Sequence, residues 1–381
     1  MLTALNSSFF IAGNWIFFWT RFLTFGQLGI VDALAFSWGL LMEVPTGAVA
    51  DLIGKKKTIL ASCLLCFVGI TFLIAPTNSF WPLLIGFLLA QTGWALYSGS
   101  AEALAYDSLK EANSESGFDV VMARSNMISI IVKVITTLVG GLMYVYWFRL
   151  PHFAWGTVYL LGFITSFWLR EPKVDTEKFS IKAYTTQLSE GAKQLVKPKL
   201  LPLLSLIFSL GGFFYLFSYG LIKPVIATQF GFLANQQAVI WATIGIVTAI
   251  AVSFIPKIMK KIDDKAGLLI LNLLLGLGFL GAALPLGTNG FFVLLLIGIV
   301  GSLSTPWISV VVNREIESKY RATTISTISL VSKIPYVIAA VLAGSMIDGG
   351  TFWLFNLAVG IIICLVSLTA LLSHKNSEDL D

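Results

Sequence analysis

Gly47-Ala48-Val49-Ala50-Asp51-Leu52-Ile53-Gly54-Lys55-Lys56-Lys57 lies between two long apolar runs. The run before it ends in Glu43-Val44-Pro45-Thr46, and the run after it begins at Thr58. A connection this short makes the two flanking spans antiparallel neighbours. Its three lysines place it on the cytoplasmic side, because Lys and Arg stay cytoplasmic when short loops are sorted across a bilayer. Asp51 stands one helical turn past Gly47, at the membrane boundary. A carboxylate that faces a helix N-terminus there contributes ~0.3–2 kcal/mol, depending on burial. The plainer reading is a solvated cluster that only orients the chain.

Working outward, 57% of the 381 residues are hydrophobic and 12% are charged. Soluble domains carry about 25% charged residues, so no aqueous fold hides this much apolar surface. The charges are bunched in a few loops, which leaves uncharged runs close to the length that crosses hydrocarbon as helix. Nothing alternates as a membrane β-barrel strand does. The formal charge of +5 is spread over loops on one face, which is bilayer orientation and not a nucleic-acid footprint. Cys63-Leu64-Leu65-Cys66 has a redox-like spacing but no charged neighbour to form a thiolate, and reads as helix filler. The first apolar run lacks a basic n-region and a small-residue cleavage site, so a cleavable signal peptide is not expected.

Twelve spans follow, in an all-α membrane protein. The first runs from about Leu2 to Thr20, the second from Leu28 to Ala50, the third from Thr58 to Ala75 and the fourth from Phe80 to Leu104. The fifth covers Met122 to Tyr146 and the sixth His152 to Leu169. From Glu171 to Lys199 the chain turns polar, and Ile181, Tyr184, Leu188 and Leu195 recur at helical spacing between lysines. That pattern predicts an amphipathic helix on the cytoplasmic leaflet. Six more spans follow: Leu200–Ile222, Gln236–Met259, Gly267–Leu286, Phe291–Val312, Ala322–Ile347 and Thr351–Leu372. The expected organisation is a six-helix bundle over residues 1–170, a linker over 171–199, a second bundle over 200–373 and a frayed polar tail over 374–381.

Basic residues test this layout. Lys55–Lys57, Lys110, Arg124, seven residues from Arg170 to Lys199, Lys257–Lys265, Arg314–Arg321 and Lys375 fall on the side of the termini. Only Arg21, Arg149 and Lys223 fall opposite, while Lys133 and Lys333 lie inside spans. Both termini are therefore expected in the cytoplasm of a multi-pass plasma-membrane protein.

The spacing Gly-x-x-x-Asp-x-x-Gly-Lys-Lys resembles the loop between helices 2 and 3 of the major facilitator superfamily of transporters. Ser98-Gly99-Ser100-Ala101-Glu102-Ala103-Leu104-Ala105-Tyr106-Asp107-Ser108-Leu109 and Asn313-Arg314-Glu315-Ile316-Glu317-Ser318-Lys319-Tyr320-Arg321-Ala322-Thr323 are similar to their counterparts in bacterial members. Lys257–Lys265 takes the place of the second copy of the Gly47 loop but lacks its glycines. The resemblance implies two pseudo-symmetric six-helix bundles that rock about a central cavity. It also implies a cytoplasmic gate made from Gly47, Asp51, Gly54, Lys55, Lys56, Glu102, Asp107, Arg124 and Arg321. In that gate Asp51 meets the start of helix 11 and Lys55 meets an acid of helix 4. Drug antiporters of the superfamily carry Gly-x-x-x-Gly-Pro-x-x-Gly-Gly on helix 5. Here only Gly140-Gly141 of that run survives, which weakens an antiporter assignment.

A charged group at the bilayer centre costs ~2.5–3.5 kcal/mol on insertion scales, so such groups face protein or a water-filled cavity. Four qualify: Asp32, Glu43, Lys133 and Lys333. Glu43 lies about 12 Å deeper than Asp51, and Lys333 about 18 Å deeper than Arg321, at 1.5 Å per residue. The resemblance sets helix 2 against helix 11, which makes a Glu43–Lys333 pair one reading; the other is that each faces its own cavity. Lys133 either neutralises an anionic substrate or pairs with an internal acid. Glu43 or Asp32 can exchange a proton, since low dielectric raises a carboxyl pKa. The resemblance further assigns the cavity lining to helices 1, 4, 7 and 10. On these the polar and aromatic candidates are Asn14, Trp15, Gln91, Trp94, Tyr97, Tyr215, Tyr219, Ser304, Thr305 and Trp307.

Aromatic rings with a few amides suit amphipathic substrates. The preferred reading is a monomeric, proton-coupled secondary transporter that exports a small amphipathic compound. The alternatives are an importer of an anionic metabolite, centred on Lys133 and Lys333, and a transporter-shaped sensor that moves nothing. An enzyme is not expected: there is no metal-ligand spacing and no phosphate-binding glycine loop, so no cofactor is implied.

Overall fold

The computed structural model describes residues 2–75, 79–172, 180–195, 197, 200–316 and 321–378. The described elements are helical throughout, as lipid demands of a chain that must satisfy its own backbone groups. The first span is split into α1 (Leu2–Ser7) and α2 (Trp15–Trp19). The second and third are continuous: α3 (Phe25–Ile53), which carries Pro45, and α4 (Lys55–Ile74). The fourth is split at Ser98-Gly99 into α5 (Phe80–Tyr97) and α6 (Ser100–Glu111), with Gly99 at φ +76°. The fifth is α7 (Phe118–Tyr146) and the sixth α8 (Leu150–Ser166).

The linker holds α9 (Ile181–Leu195). The seventh span is split into α10 (Leu204–Ser218) and α11 (Ile222–Gln229), the eighth into α12 (Ala234–Ser253) and α13 (Ile255–Ile258). Then come α14 (Asp264–Ala282) and α15 (Gly290–Glu315). The eleventh span is split into α16 (Arg321–Lys333) and α17 (Pro335–Asp348), where Pro335 lacks the amide that would continue the ladder. The last is α18 (Phe352–Glu378), which runs through most of the stretch expected to fray.

Ten of these stretches are long and apolar enough to cross a membrane. The interrupted α1–α2 stretch and the 17-residue α8 complete the twelve.

The chain divides into two compact units. The first comprises Met1–Leu23, Val31–Ile181 and Ala234–Ala242; the second comprises Thr24–Ile30, Lys182–Leu233 and Thr243–Asp381. Each unit thus includes the opening segment of a span, α3 or α12, whose remainder lies in the other. Small residues let helices approach closely where no hydrophobic force drives them together. In the first unit a side chain at Gly69 would press on the Gly86 carbonyl of α5, and one at Gly86 on the Gly69 carbonyl of α4. Ser62 donates across the same seam to the Gly93 carbonyl at 2.6 Å. In the second unit Gly276 of α14 gives room to Cys364 and Gly360 of α18.

Candidate functional site

At the start of α4 the backbone turns through Gly54 at φ +91°, a conformation that favours glycine. The first amides of α4 then point outward without an intrahelical partner. Glu171 supplies one: its two carboxylate oxygens accept from the Lys55 and Lys56 amides, each at 2.7 Å. The Lys55 side chain turns inward and its Nζ pairs with Oδ2 of Asp107 on α6, both residues being buried. Lys56 Nζ donates to the Phe167 carbonyl at 2.8 Å. Glu102 and Arg124 are exposed. Arg321 donates from Nε to the Ile316 carbonyl at 3.1 Å.

Glu43, Gly47 and Asp51 lie on α3, and the side chains of Glu43 and Asp51 fall outside the description. The expected Asp51 contact with the start of helix 11 and the expected Glu43–Lys333 pair therefore lie outside the described residues. A different carboxylate caps a different helix in the second unit. Asp348, at the end of α17, accepts from the Phe25 amide at 3.0 Å and the Gly26 amide at 2.7 Å, the first two residues of α3. Gly29 and Gly344 give the close approach, against Ala340 and the Phe25 carbonyl respectively.

The cavity candidates separate by burial. Asn14 is completely buried, and its amide donates to the Phe10 carbonyl at 2.8 Å and the Gly140 carbonyl at 3.1 Å. It joins the first span to α7. Gly140 leaves room for the Phe10 carbonyl and Gly141 for Ala238, so the two glycines left from the antiporter-type run serve close packing within the first unit. Ser304 is buried and donates to its own helix at Val300. The Trp307 ring fills the space beside Gly267 and reaches the Asp264 carbonyl at 3.3 Å. Ser304 and Trp307 are engaged in helix packing, as is the Asn14 amide nitrogen, while Asn14 Oδ1 is buried with no hydrogen-bond partner among the described residues. Trp94 donates to the Tyr159 hydroxyl at 2.6 Å and lies against Trp155, while Gln91 is buried near Gly39. Trp15, Trp94, Tyr97, Tyr215 and Tyr219 remain half-buried, and Thr305 is exposed.

Of the intramembrane charges, Asp32 is buried. Lys133 lies on the stripe of α7 that meets the first span: Ser129 accepts from Ser7 at 2.9 Å, and Thr136 accepts from the Phe9 amide at 3.0 Å. Its Nζ stands 5.8 Å from the centre of the Phe9 ring. In the second unit Lys333 Nζ stands 5.6 Å from the centre of the Tyr215 ring. Tyr215 and Tyr219 are stacked at 5.2 Å and 15°. Tyr336 meets both edge-on, at 5.8 and 5.0 Å. Sequence reasoning missed Tyr336, Phe9, Glu171 and Asp348. The proline that interrupts the eleventh span was the available signal for Tyr336.

The sequence matches the Major Facilitator Superfamily family model over residues 1–340. No curated protein matches it in a sequence search. Solved structures match along the whole chain at low identity, which speaks to the fold. The nucleoside transporter NupG aligns with a TM-score of 0.72 at 14% identity, covering 98% of this chain and 96% of its own. A bacterial homologue of the human lysosomal transporter Spinster, in an inward-facing and unoccupied conformation, gives 0.69 at 15%, covering 98% and 94%. A D-xylose-proton symporter gives 0.66 at 13%, covering 97% and 94%.

Proposed function

Because the chain belongs to the major facilitator superfamily, we propose that it moves a small amphipathic solute by alternating access, in exchange for protons. Membership makes it a multi-pass membrane transporter and not an enzyme. Export across the plasma membrane, with both termini cytoplasmic and the monomer as working unit, is the reading we favour. The observation that carries it is the half-buried aromatic set on the spans that line the cavity of this fold. Trp15, Trp94, Tyr97, Tyr215 and Tyr219 are each half-buried. Pockets of that kind, mostly apolar with a few polar groups, hold amphipathic molecules.

The remaining roles follow from the same reading. Lys55 and Asp107, tied by Glu171 to the start of α4, form the cytoplasmic rim that rearranges as the inner side opens. Glu102, Arg124, Arg321 and Asp51 are further rim groups. Asp32 or Glu43 carries the coupled proton. Import of an anionic metabolite is the second reading, and it draws on Lys133 and Lys333, neither of which has a carboxylate partner among the described residues.

Proteoliposomes loaded with a pH-sensitive dye test the proposal. Adding a transported solute outside should shift the internal pH, and an imposed proton gradient should concentrate that solute on one side. A protein that binds solutes yet moves neither protons nor solute is a sensor, and the proposal fails.

A further inference from the structure

The second unit brings two interrupted helices together at one point. The seventh span stops at Ser218; Tyr219 is extended at φ −96° and ψ 146°, and Gly220 turns at φ +60°. The eleventh span stops at Lys333 and restarts at Pro335. Gly211 and Gly212 of α10 carry no side chain where Ser332 comes closest, so the two helices touch there. The adjoining residue, Lys333, is thereby set over the Tyr215 ring. Tyr336, in the first turn after the break, is buried against both Tyr215 and Tyr219. Transporters of this build place substrate and ion sites at discontinuous membrane helices.

An ammonium inside a span needs compensation. Lys333 has a ring face 5.6 Å away and the carbonyl end of its own half-helix. Both are partial negative charges, weaker than a carboxylate. No carboxylate stands within ion-pair distance among the described residues. Ser332 beside it is buried, and its hydroxyl has no hydrogen-bond partner among the described residues. Tyr215, Tyr219 and Lys333 are half-buried. The first unit holds a related arrangement. Lys133, on the span equivalent to the eleventh, stands over Phe9, which lies in the interruption between α1 and α2. Phe9 in turn meets Trp155 edge-on at 5.7 Å.

We infer that the tyrosine cluster with Lys333 binds an aromatic acid: the carboxylate pairs with Lys333 and the planar ring lies against Tyr215 and Tyr219. This rests on the transporter reading and adds the charge and shape of the solute. It fits either direction of transport.

The test uses the purified full-length protein in detergent, with indole-3-acetate, its uncharged amide indole-3-acetamide, and acetate as probes. Thermal unfolding is followed against probe concentration. The acid should stabilise the protein saturably, with at least about tenfold higher apparent affinity than the amide or acetate. Lys333→Met should remove that tenfold preference and leave the response to the amide unchanged. Lys333→Arg should keep the preference, and Tyr219→Ala should weaken acid and amide alike. Equal binding of acid and amide, an unaltered preference in Lys333→Met, or no response to any probe overturns the inference. Should Lys333→Met fail to fold, the acid-against-amide comparison on the natural protein decides alone. Failure here leaves transport itself untouched. That reading is decided by reaching one cysteine, Thr305→Cys, from both faces of the membrane.

Discussion

The start of α4 and the start of α14 occupy the same place in the two repeats, and they solve one problem with opposite charges. In the first unit Lys55 at the start of the third span pairs with Asp107 at the end of the fourth, with side chains 10% and 6% exposed. In the second unit Asp264 at the start of the ninth span pairs with Arg314 at the end of the tenth, at 2.7 Å, with side chains 23% and 52% exposed. The caps differ as well. Glu171 arrives from 116 residues away to hold the Lys55 amide, whereas Asp263 caps its own helix through the Lys265 and Ala266 amides. The second copy of the Gly47 loop is degenerate in sequence because it lacks the glycines. The tie between the first turn of one span and the last turn of the next is nevertheless present in both. The difference lies in burial.

Burial sets the order of effects expected from mutation. Lys55→Met leaves the Asp107 carboxylate buried and unpaired, a loss of about 3–5 kcal/mol. Thermal unfolding in detergent reads it, and the exchanged pair Lys55→Asp with Asp107→Lys should recover part of the loss. Glu171→Gln removes the charge from a cap that holds two amides, about 1–2 kcal/mol. Hydrogen exchange at the Lys55 and Lys56 amides should quicken with it. Asp348→Asn weakens the equivalent cap on α3 by about 0.5–1.5 kcal/mol, read as faster exchange at Phe25 and Gly26. Arg314→Gln breaks a half-exposed pair and should change stability by only ~0–1 kcal/mol, less still at high salt. A loss at Arg314 as large as that at Lys55 would dissolve the comparison.

Most of the fold was legible in the chain. Apolar runs of spanning length, and lysines bunched on alternate loops, give the number and alternation of the spans because lipid leaves a segment few other options. The breaks were partly legible. Gly13, Gly220 and Pro335 stand inside three of the interrupted runs, but each run is long and apolar enough to read as one continuous helix. The caps were not legible. Asp348 lies 323 and 322 residues from the amides it holds, and no local pattern carries such a pairing. The cavity candidates Asn14, Ser304 and Trp307 illustrate a second limit. A polar or indole side chain on a membrane helix can satisfy a neighbouring backbone as readily as a solute, and position along the span does not say which. Lys333 stood out in the sequence because a span tolerates few ammonium groups. Its ring partners depend on how two broken helices meet.

The central claim is that one interior site opens to each side of the membrane in turn. Thr305→Cys, in a background with Cys63, Cys66 and Cys364 replaced, places one thiol at an exposed position on the tenth span. An impermeant maleimide is applied to right-side-out vesicles and, separately, to inside-out vesicles. The account predicts labelling from both faces. Labelling from one face alone, or from neither, would contradict it.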